Sequence, residues 1–186
     1  GFIADVVLVD DVTKMNATTV LKDGQVVAKN GAMCTAPAHT TEPKHTILHS
    51  VHIPKIEKSQ LEILFKHGNL ANIIEIMPDQ ITTKKKVANV DVQDGIFVPS
   101  IEKDYFKLAV VERHHNLGNI GLAIVHGCGL KEGAVATTVA HDSHNAIVVG
   151  TNDDDMIKAL EALQAMQGGL VVVRNGEVMG ALNLPI

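Results

Sequence analysis

The pattern of apolar and polar positions along this chain predicts a fold built mainly of β-strands. Short apolar runs rich in β-branched residues recur along the sequence, bounded by glycine, proline or polar residues, as is typical of strands. We predict strands over residues 3–9, 19–22, 25–29, 45–53, 72–77, 106–111, 120–125, 133–139, 146–150, 170–174 and 177–182, with one or two more within 81–92. Asp23-Gly24 and Asn175-Gly176 predict tight hairpin turns.

Two segments predict helices instead. Residues 59–67 begin with a serine suited to N-capping and carry apolar residues at helical spacing. Residues 153–166 follow Asn152 and open with three aspartates, whose negative charge suits the positive end of a helix dipole. Gly168-Gly169 predicts the end of this second helix.

Together these elements predict the α+β class, with a mainly β start and a strand-rich second part. Residues 35–44 contain proline and threonine without periodicity, which predicts a linker or a connection between sheets. We expect a β segment over residues 1–55 and a strand-rich α/β domain over residues 56–186. Neither end of the chain resembles a natural terminus, so we also expect a piece excised from a larger protein.

Composition and charge exclude several classes of protein. The chain has 46% hydrophobic residues and a formal net charge of -5, so it can bury a core but shows no basic footprint for nucleic acid. We interpret its one cationic run, Lys84-Lys85-Lys86, as a solvated turn or edge. No apolar window is long enough for a membrane helix. Two cysteines and no visible export signal predict a reducing, cytoplasmic setting.

The most informative motif is a polar run between two of the predicted strands. His141-Asp142-Ser143-His144-Asn145 separates the apolar segments 133–139 and 146–150. Imidazoles and a carboxylate beside core strands need hydrogen-bond partners or a ligand, because unpaired polar groups are costly there. We therefore predict a site that faces a ligand or an interface, with His141, Asp142 and His144 as candidates. The alternative is a locally hydrogen-bonded turn with exposed histidines.

A second polar cluster directly follows another predicted strand. Glu112-Arg113-His114-His115-Asn116 comes after residues 106–111. Strand ends and the loops that leave them commonly carry ligand contacts. If the two strands are neighbours, the clusters meet at one sheet edge, and Glu112 and His114 join the candidate catalytic set. The alternative is that Glu112 and Arg113 form a simple ion pair.

The sequence contains no complete motif for catalysis or metal binding. H-x-H, H-E-x-x-H, C-x-x-C, G-x-G-x-x-G, the Walker P-loop and G-x-S-x-G are all missing. His45, His49 and His52 would suit a metal site on a helix, but Thr46, Ile47 and Val51 favour a strand. We therefore predict no metal-binding residue in this chain.

Several blocks resemble the C-terminal region of bacterial-type adenine deaminases, members of the amidohydrolase superfamily. The resemblance rests on the segments 107–114, 118–121, 130–134, 139–145, 148–153 and 168–173 and on the closing Leu184-Pro185-Ile186. The start is similar to the segment that returns from an amidohydrolase barrel to its small β domain, in residues 4–9 and 22–27. The block from His141 to Asn145 is the most specific of these.

The resemblance implies hydrolytic deamination of adenine to hypoxanthine and ammonia by the intact enzyme. It also implies a divalent metal, manganese or iron, bound by a (β/α)₈ barrel upstream of this chain, and a homo-oligomeric assembly. We expect the metal-binding domain to be missing here and the isolated piece to be inactive. The first 55 residues would then be part of the composite β domain that flanks the barrel.

The role of the block from His141 to Asn145 stays open on the sequence alone. It could face the mouth of the barrel and contact the purine or the leaving ammonia, with Glu112 and His114 nearby. It could also be a structural hydrogen-bonded knot between domains or subunits. A purely structural or oligomerising domain, or another amidohydrolase such as a cyclic amidase, is the alternative at the level of the whole chain.

Overall fold

A computed structural model of the protein describes residues 1–36 and 45–185. The chain divides into two compact units, Gly1–Glu42 and Pro43–Ile186. The predicted linker over residues 35–44 lies largely outside the described residues. The assignment of residues 1–55 and 56–186 to two domains of a larger enzyme stays a prediction.

The first unit contains a four-stranded antiparallel sheet with its strands in chain order. Its strands are β1 (Val6–Val9), β2 (Ala17–Lys22), β3 (Gln25–Lys29) and β4 (Ala32–Met33). Asp23 and Gly24 join β2 to β3 with φ angles of 51° and 76°. Two successive positive φ angles are what a type I′ turn needs, so the predicted hairpin is confirmed.

The second unit is built on an eight-stranded sheet with the order β14-β13-β11-β12-β9-β10-β5-β6. Neighbouring strands run antiparallel except for β5 and β10, which are parallel. The strands are β5 (Leu70–Ile76), β6 (Thr83–Asn89), β9 (Tyr105–Val111), β10 (Ile120–His126), β11 (Ala134–Thr137), β12 (Ala146–Gly150), β13 (Gly169–Arg174) and β14 (Glu177–Asn183). A separate hairpin pairs β7 (Asp91–Gln93) with β8 (Ile96–Val98).

The long helix α2 (Asp153–Met166) confirms the predicted second helix. Asn152 caps it, since its Oδ1 accepts a hydrogen bond of 2.8 Å from the backbone N–H of Asp155. Met156, Leu160 and Leu163 are buried and pack against strands β11, β12 and β13. The helix therefore covers one face of the eight-stranded sheet, and the chain has the predicted α+β fold.

The predicted strand over residues 45–53 is wrong. A single helical turn, α1 (His45–Leu48), begins the segment, and the rest has no regular structure. The N–H of Val51 donates to the side-chain oxygen of Gln167, and the N–H of Ile53 donates to that of Gln164. Val51 is fully buried, and side chains at the C-terminal end of α2 take the hydrogen bonds that a neighbouring strand would have taken.

The predicted helix over residues 59–67 is also wrong beyond its first turn. A 3₁₀ helix spans Lys58–Leu61 and buries Leu61. The chain then runs extended: the N–H of Phe65 donates to the carbonyl of Gly95 over 2.7 Å, and the N–H of Phe97 donates to that of Ile63 over 2.9 Å. Pairing with the segment around β8 outweighs the local helical pattern.

Helices of membrane-spanning length and apolarity are not found in the described part of the chain.

Candidate functional site

The two polar clusters lie side by side at one end of the eight-stranded sheet. Strands β9 and β12 are neighbours, and Val111 at the end of β9 pairs with Ala146 at the start of β12. The loop 112–119 therefore leaves the sheet where the loop 138–145 enters it. We call these segments the paired loops. The prediction that the two clusters meet at one edge is confirmed.

Glu112 organises the first of the paired loops. One of its oxygens, Oε1, accepts hydrogen bonds from the N–H groups of His114 and His115 over 2.6 and 2.7 Å. The other, Oε2, accepts one from Leu117 over 2.9 Å. These hydrogen bonds favour the ionised form, the one from Leu117 most strongly, and hold the pKa of the Glu112 carboxyl below its ordinary value. Both oxygens are thus engaged in shaping the loop.

The buried residue Arg113 connects the two loops. Its side chain is buried, and Nε donates a hydrogen bond to the backbone carbonyl of His144. Its own carbonyl accepts a hydrogen bond of 2.7 Å from the N–H of His52. Burial lowers the pKa of the guanidinium, which nevertheless stays charged in a protein. A buried cation therefore fixes the backbone of the second loop.

The base of the second loop is tied to strand β13. Thr138 is buried, and its Oγ1 accepts a hydrogen bond of 2.9 Å from the N–H of Gly169. The N–H of Thr138 donates in turn to the carbonyl of Gly169 over 3.0 Å. Further along, His144 has a φ angle of 52°, a left-handed conformation that is uncommon outside glycine. The loop is thus held in a defined and locally strained turn.

His114, in the first of the paired loops, contacts the second loop at Ser143. Its Nε2 lies 3.1 Å from the carbonyl oxygen of Ser143, so the ring donates this hydrogen bond when Nε2 carries a proton. The ring itself is exposed to solvent, as is that of the neighbouring His115. The centres of the two rings are 6.3 Å apart.

His141 and Asp142 form the outermost part of the second loop. His141 Nε2 lies 3.5 Å from Asp142 Oδ1, and both side chains are 91% exposed. A pair this exposed contributes little to stability. Its imidazole and carboxylate are free to contact another molecule or another part of a larger protein.

A shallow pocket of about 390 Å³ opens beside the paired loops. Its lining includes Glu112, Asn119, Gly121 and Asn145. Asn145 Oδ1 is a buried oxygen for which the described residues provide no hydrogen-bond partner. A buried acceptor without a partner is costly, so Asn145 offers a contact for a donor that enters this pocket.

Metal binding requires several ligands at one point. Over the residues that the structure describes, no group of three or more His, Cys, Asp or Glu side chains is placed to hold a metal ion. We therefore assign no ligand role to the histidines of the paired loops.

The comparison with known families agrees with this fold and these loops. The profile of the adenine deaminase C-terminal domain family matches residues 80–186, which is more than half of the chain and includes both paired loops. The chain belongs to this family.

The curated relatives that match this chain are adenine deaminases. Adenine deaminase from Lysinibacillus sphaericus is 54% identical over 186 residues, and that from Halalkalibacterium halodurans is 44% identical over 186 residues. Adenine deaminase 2 from Carboxydothermus hydrogenoformans is 44% identical over 188 residues. In each case the match covers 100% of this chain and 32% of the relative. The chain thus spans about a third of the length of these relatives.

The residues that hold the paired loops were only partly visible in the sequence. The motifs identify Glu112, His114, His141, Asp142 and His144 but do not separate those that shape the loops from those that stay exposed. Thr138 was missed, because a threonine after a strand carries no special signal. Asn145 belonged to the motif, yet its unpaired oxygen depends on the packing around β10 and β12.

Proposed function

We propose that this chain serves as the C-terminal portion of an adenine deaminase, which hydrolyses adenine to hypoxanthine and ammonia. The observation that carries the proposal is the match of the whole chain to an adenine deaminase at 54% identity. The fold supports it, because the most specific block of the sequence forms an exposed polar loop and not a part of the core.

Within that enzyme we assign the exposed side chains of the paired loops to contacts with the substrate or the leaving ammonia. His114, His141, Asp142 and His144 supply donors and acceptors that match the edge nitrogens and the amino group of a purine. Glu112 acts as a positioning residue, since its oxygens already accept three backbone hydrogen bonds.

The metal of the proposed enzyme, manganese or iron, belongs to residues outside this chain. The described residues offer no cluster of ligands for it. We propose that the isolated chain does not deaminate adenine.

We also propose that the intact enzyme works in the cytoplasm as a homo-oligomer. Two cysteines, both free, in 186 residues fit a reducing compartment. An apolar face of the eight-stranded sheet supports oligomerisation.

A chimera tests the proposed function. In the Lysinibacillus sphaericus relative, the third that matches this chain is replaced by this chain, and adenine deamination is followed as released ammonia. We expect deamination by the chimera, and none by the relative lacking that third or by this chain alone. A folded chimera that loads metal but leaves adenine unchanged would contradict the proposal.

The second candidate is a purely structural domain. The hydrogen bonds of Glu112, Arg113 and Thr138 within the paired loops favour it, since they are those of a structural knot. Under this alternative, removing the exposed side chains would leave turnover by the folded chimera unchanged.

A further inference from the structure

The eight-stranded sheet has a second face that α2 does not cover. On the first face, Ala109, Val111, Ala146 and Val148 are buried in one cluster with the helix. Because side chains alternate along a strand, the residues between them point to the opposite face. Leu108, Val110, Ile147 and Val149 lie at those alternate positions and are only half-buried.

The register places these residues in two apolar rows that cross six strands. The first row is Ala123, Leu108, Val149, Val135, Val172 and Gly180, and the second is Gly121, Val110, Ile147, Thr137, Leu170 and Leu182. We call this surface the open face. None of its twelve positions is charged, and Leu170, Val172 and Leu182 are 39%, 45% and 58% exposed.

An antiparallel sheet with one face in water normally alternates apolar and polar residues. This sheet does not, since β12 reads AIVVG and β13 reads GLVVVR. Strands that are apolar on both sides are typical of a sheet that is covered on both faces. Charged residues lie beyond the rows: Arg174 pairs with Glu132 beside β13, and Lys85 lies on β6, which β5 separates from the last strand of the rows. An apolar centre with a charged rim is the usual composition of a protein interface.

The size of the open face suits a dimer. Six strands spaced about 4.8 Å apart make the open face about 29 Å wide, and strands of about six residues make it about 20 Å tall. Each copy therefore contributes about 580 Å², and the two copies together about 1,160 Å², above the roughly 1,000 Å² that a specific interface needs.

From this geometry we infer that the open face packs against the open face of a second copy of this chain across a two-fold axis. A surface without charge at its centre meets its own copy without like-charge repulsion, as an isologous interface requires. Rows of valine, leucine and isoleucine can interdigitate at the roughly 10 Å separation of stacked sheets. The inference deepens the oligomer of the proposed function by naming the surface that forms it.

Sedimentation of the 186-residue chain tests this interface without any measurement of activity. A dimer has a mass of about 39.8 kDa, twice the 19.9 kDa of the chain. Val172→Lys places a charge in the first row of the open face, where dimerisation would bury it unpaired. We expect a dissociation constant at least about tenfold higher than that of the unchanged chain. Leu182→Lys, at a more exposed position, should also raise the dissociation constant. It replaces Val172→Lys in the test if that variant folds poorly.

Ile101→Lys is the matched control, since Ile101 is 50% exposed in the turn that leads into β9. It should leave the dimer intact. A chain that stays monomeric at about 100 µM would overturn the inference and would point instead to another part of a longer protein as the cover. A dimer that Val172→Lys leaves unchanged but Met179→Lys disrupts would overturn it in favour of pairing between the free edges of β14. Because the readout is mass, these results stay independent of whether the chimera deaminates adenine.

Discussion

The paired loops contain two sets of polar residues that differ in what they contact. The inner set, Glu112, Arg113 and Thr138, binds backbone groups of the loops and of β13. The outer set, represented by His141 and Asp142, is 91% exposed. The two adjacent loops therefore contain both the residues that hold the loops in place and those that are exposed on their surface. Substitutions in the inner set should lower stability, and substitutions in the outer set should change function alone.

Removal of Arg113 should have the largest effect on stability. Arg113→Met keeps much of the side-chain volume but leaves the carbonyl of His144 without its buried donor. We expect the free energy of unfolding to fall by about 2–3 kcal/mol, because the variant loses a hydrogen bond from a charged donor together with some packing. Urea unfolding of the 186-residue chain measures it.

Arg174→Met is the control, because Arg174 forms an exposed ion pair with Glu132. It should cost less than about 1 kcal/mol. Equal losses in the two variants would remove the distinction between a buried organising residue and a surface residue.

Thr138→Val should have the next largest effect. Valine matches the shape of threonine but cannot accept the hydrogen bond from the N–H of Gly169. We expect a loss of about 1–2 kcal/mol, since a buried donor is left unpaired. Thr82→Val, at an exposed position in the same unit, should stay within about 0.5 kcal/mol of the unchanged chain. Equal free energies of unfolding for the two variants would show that the hydrogen bond between Thr138 and Gly169 does not stabilise the fold.

Glu112→Gln should produce a pH-dependent loss of stability. The pKa of Glu112 is lower in the folded chain than in the unfolded chain, so its ionised form stabilises the fold above the unfolded pKa. That contribution is lost as the pH falls through the folded pKa. The difference in unfolding free energy between the unchanged chain and the variant should thus be present at neutral pH and shrink below about pH 4.3.

Unfolding at a series of pH values measures this difference. Glu102→Gln, an exposed site outside the loops, serves as the control for removing one surface charge. If the difference in unfolding free energy between the unchanged chain and Glu112→Gln grows towards low pH, the pKa of Glu112 is not lowered in the folded chain.

Outer-set substitutions should have the smallest effect on stability. His141→Ala and Asp142→Asn change side chains that are almost fully exposed. Each should therefore shift the free energy of unfolding by less than about 0.5 kcal/mol. A loss above about 1 kcal/mol for either variant in urea unfolding would place it in the inner set.

The sequence predicted much of this architecture because its strands are continuous and bounded by turns. The hairpin at Asp23-Gly24 and the capped helix α2 follow from local signals that the fold respects. The segments 45–53 and 59–67 were predicted wrongly because their hydrogen bonds go to distant partners: the side chains of Gln164 and Gln167, and the backbone around Gly95.

The sequence predicted where the two polar clusters lie but not what their side chains contact. Adjacent strands ending at Val111 and beginning at Ala146 bring the two motifs together, as the pattern of strand ends suggested. The sequence does not show which residues of the motifs face inward, because Glu112 and Asp142 are both carboxylates beside histidines. Their different contacts depend on loop backbone that folds only in the complete sheet.

Adenine deamination by the chimera carrying His141→Ala or His144→Ala shows whether these side chains take part in the reaction. It is expressed as kcat/KM per folded, metal-loaded enzyme. We predict a fall of at least about tenfold in kcat/KM, within the range typical of lost polar contacts to a reacting group, with unchanged folding and metal content. Normal kcat/KM per folded enzyme in both variants would contradict a role in the reaction and would leave the paired loops a structural element.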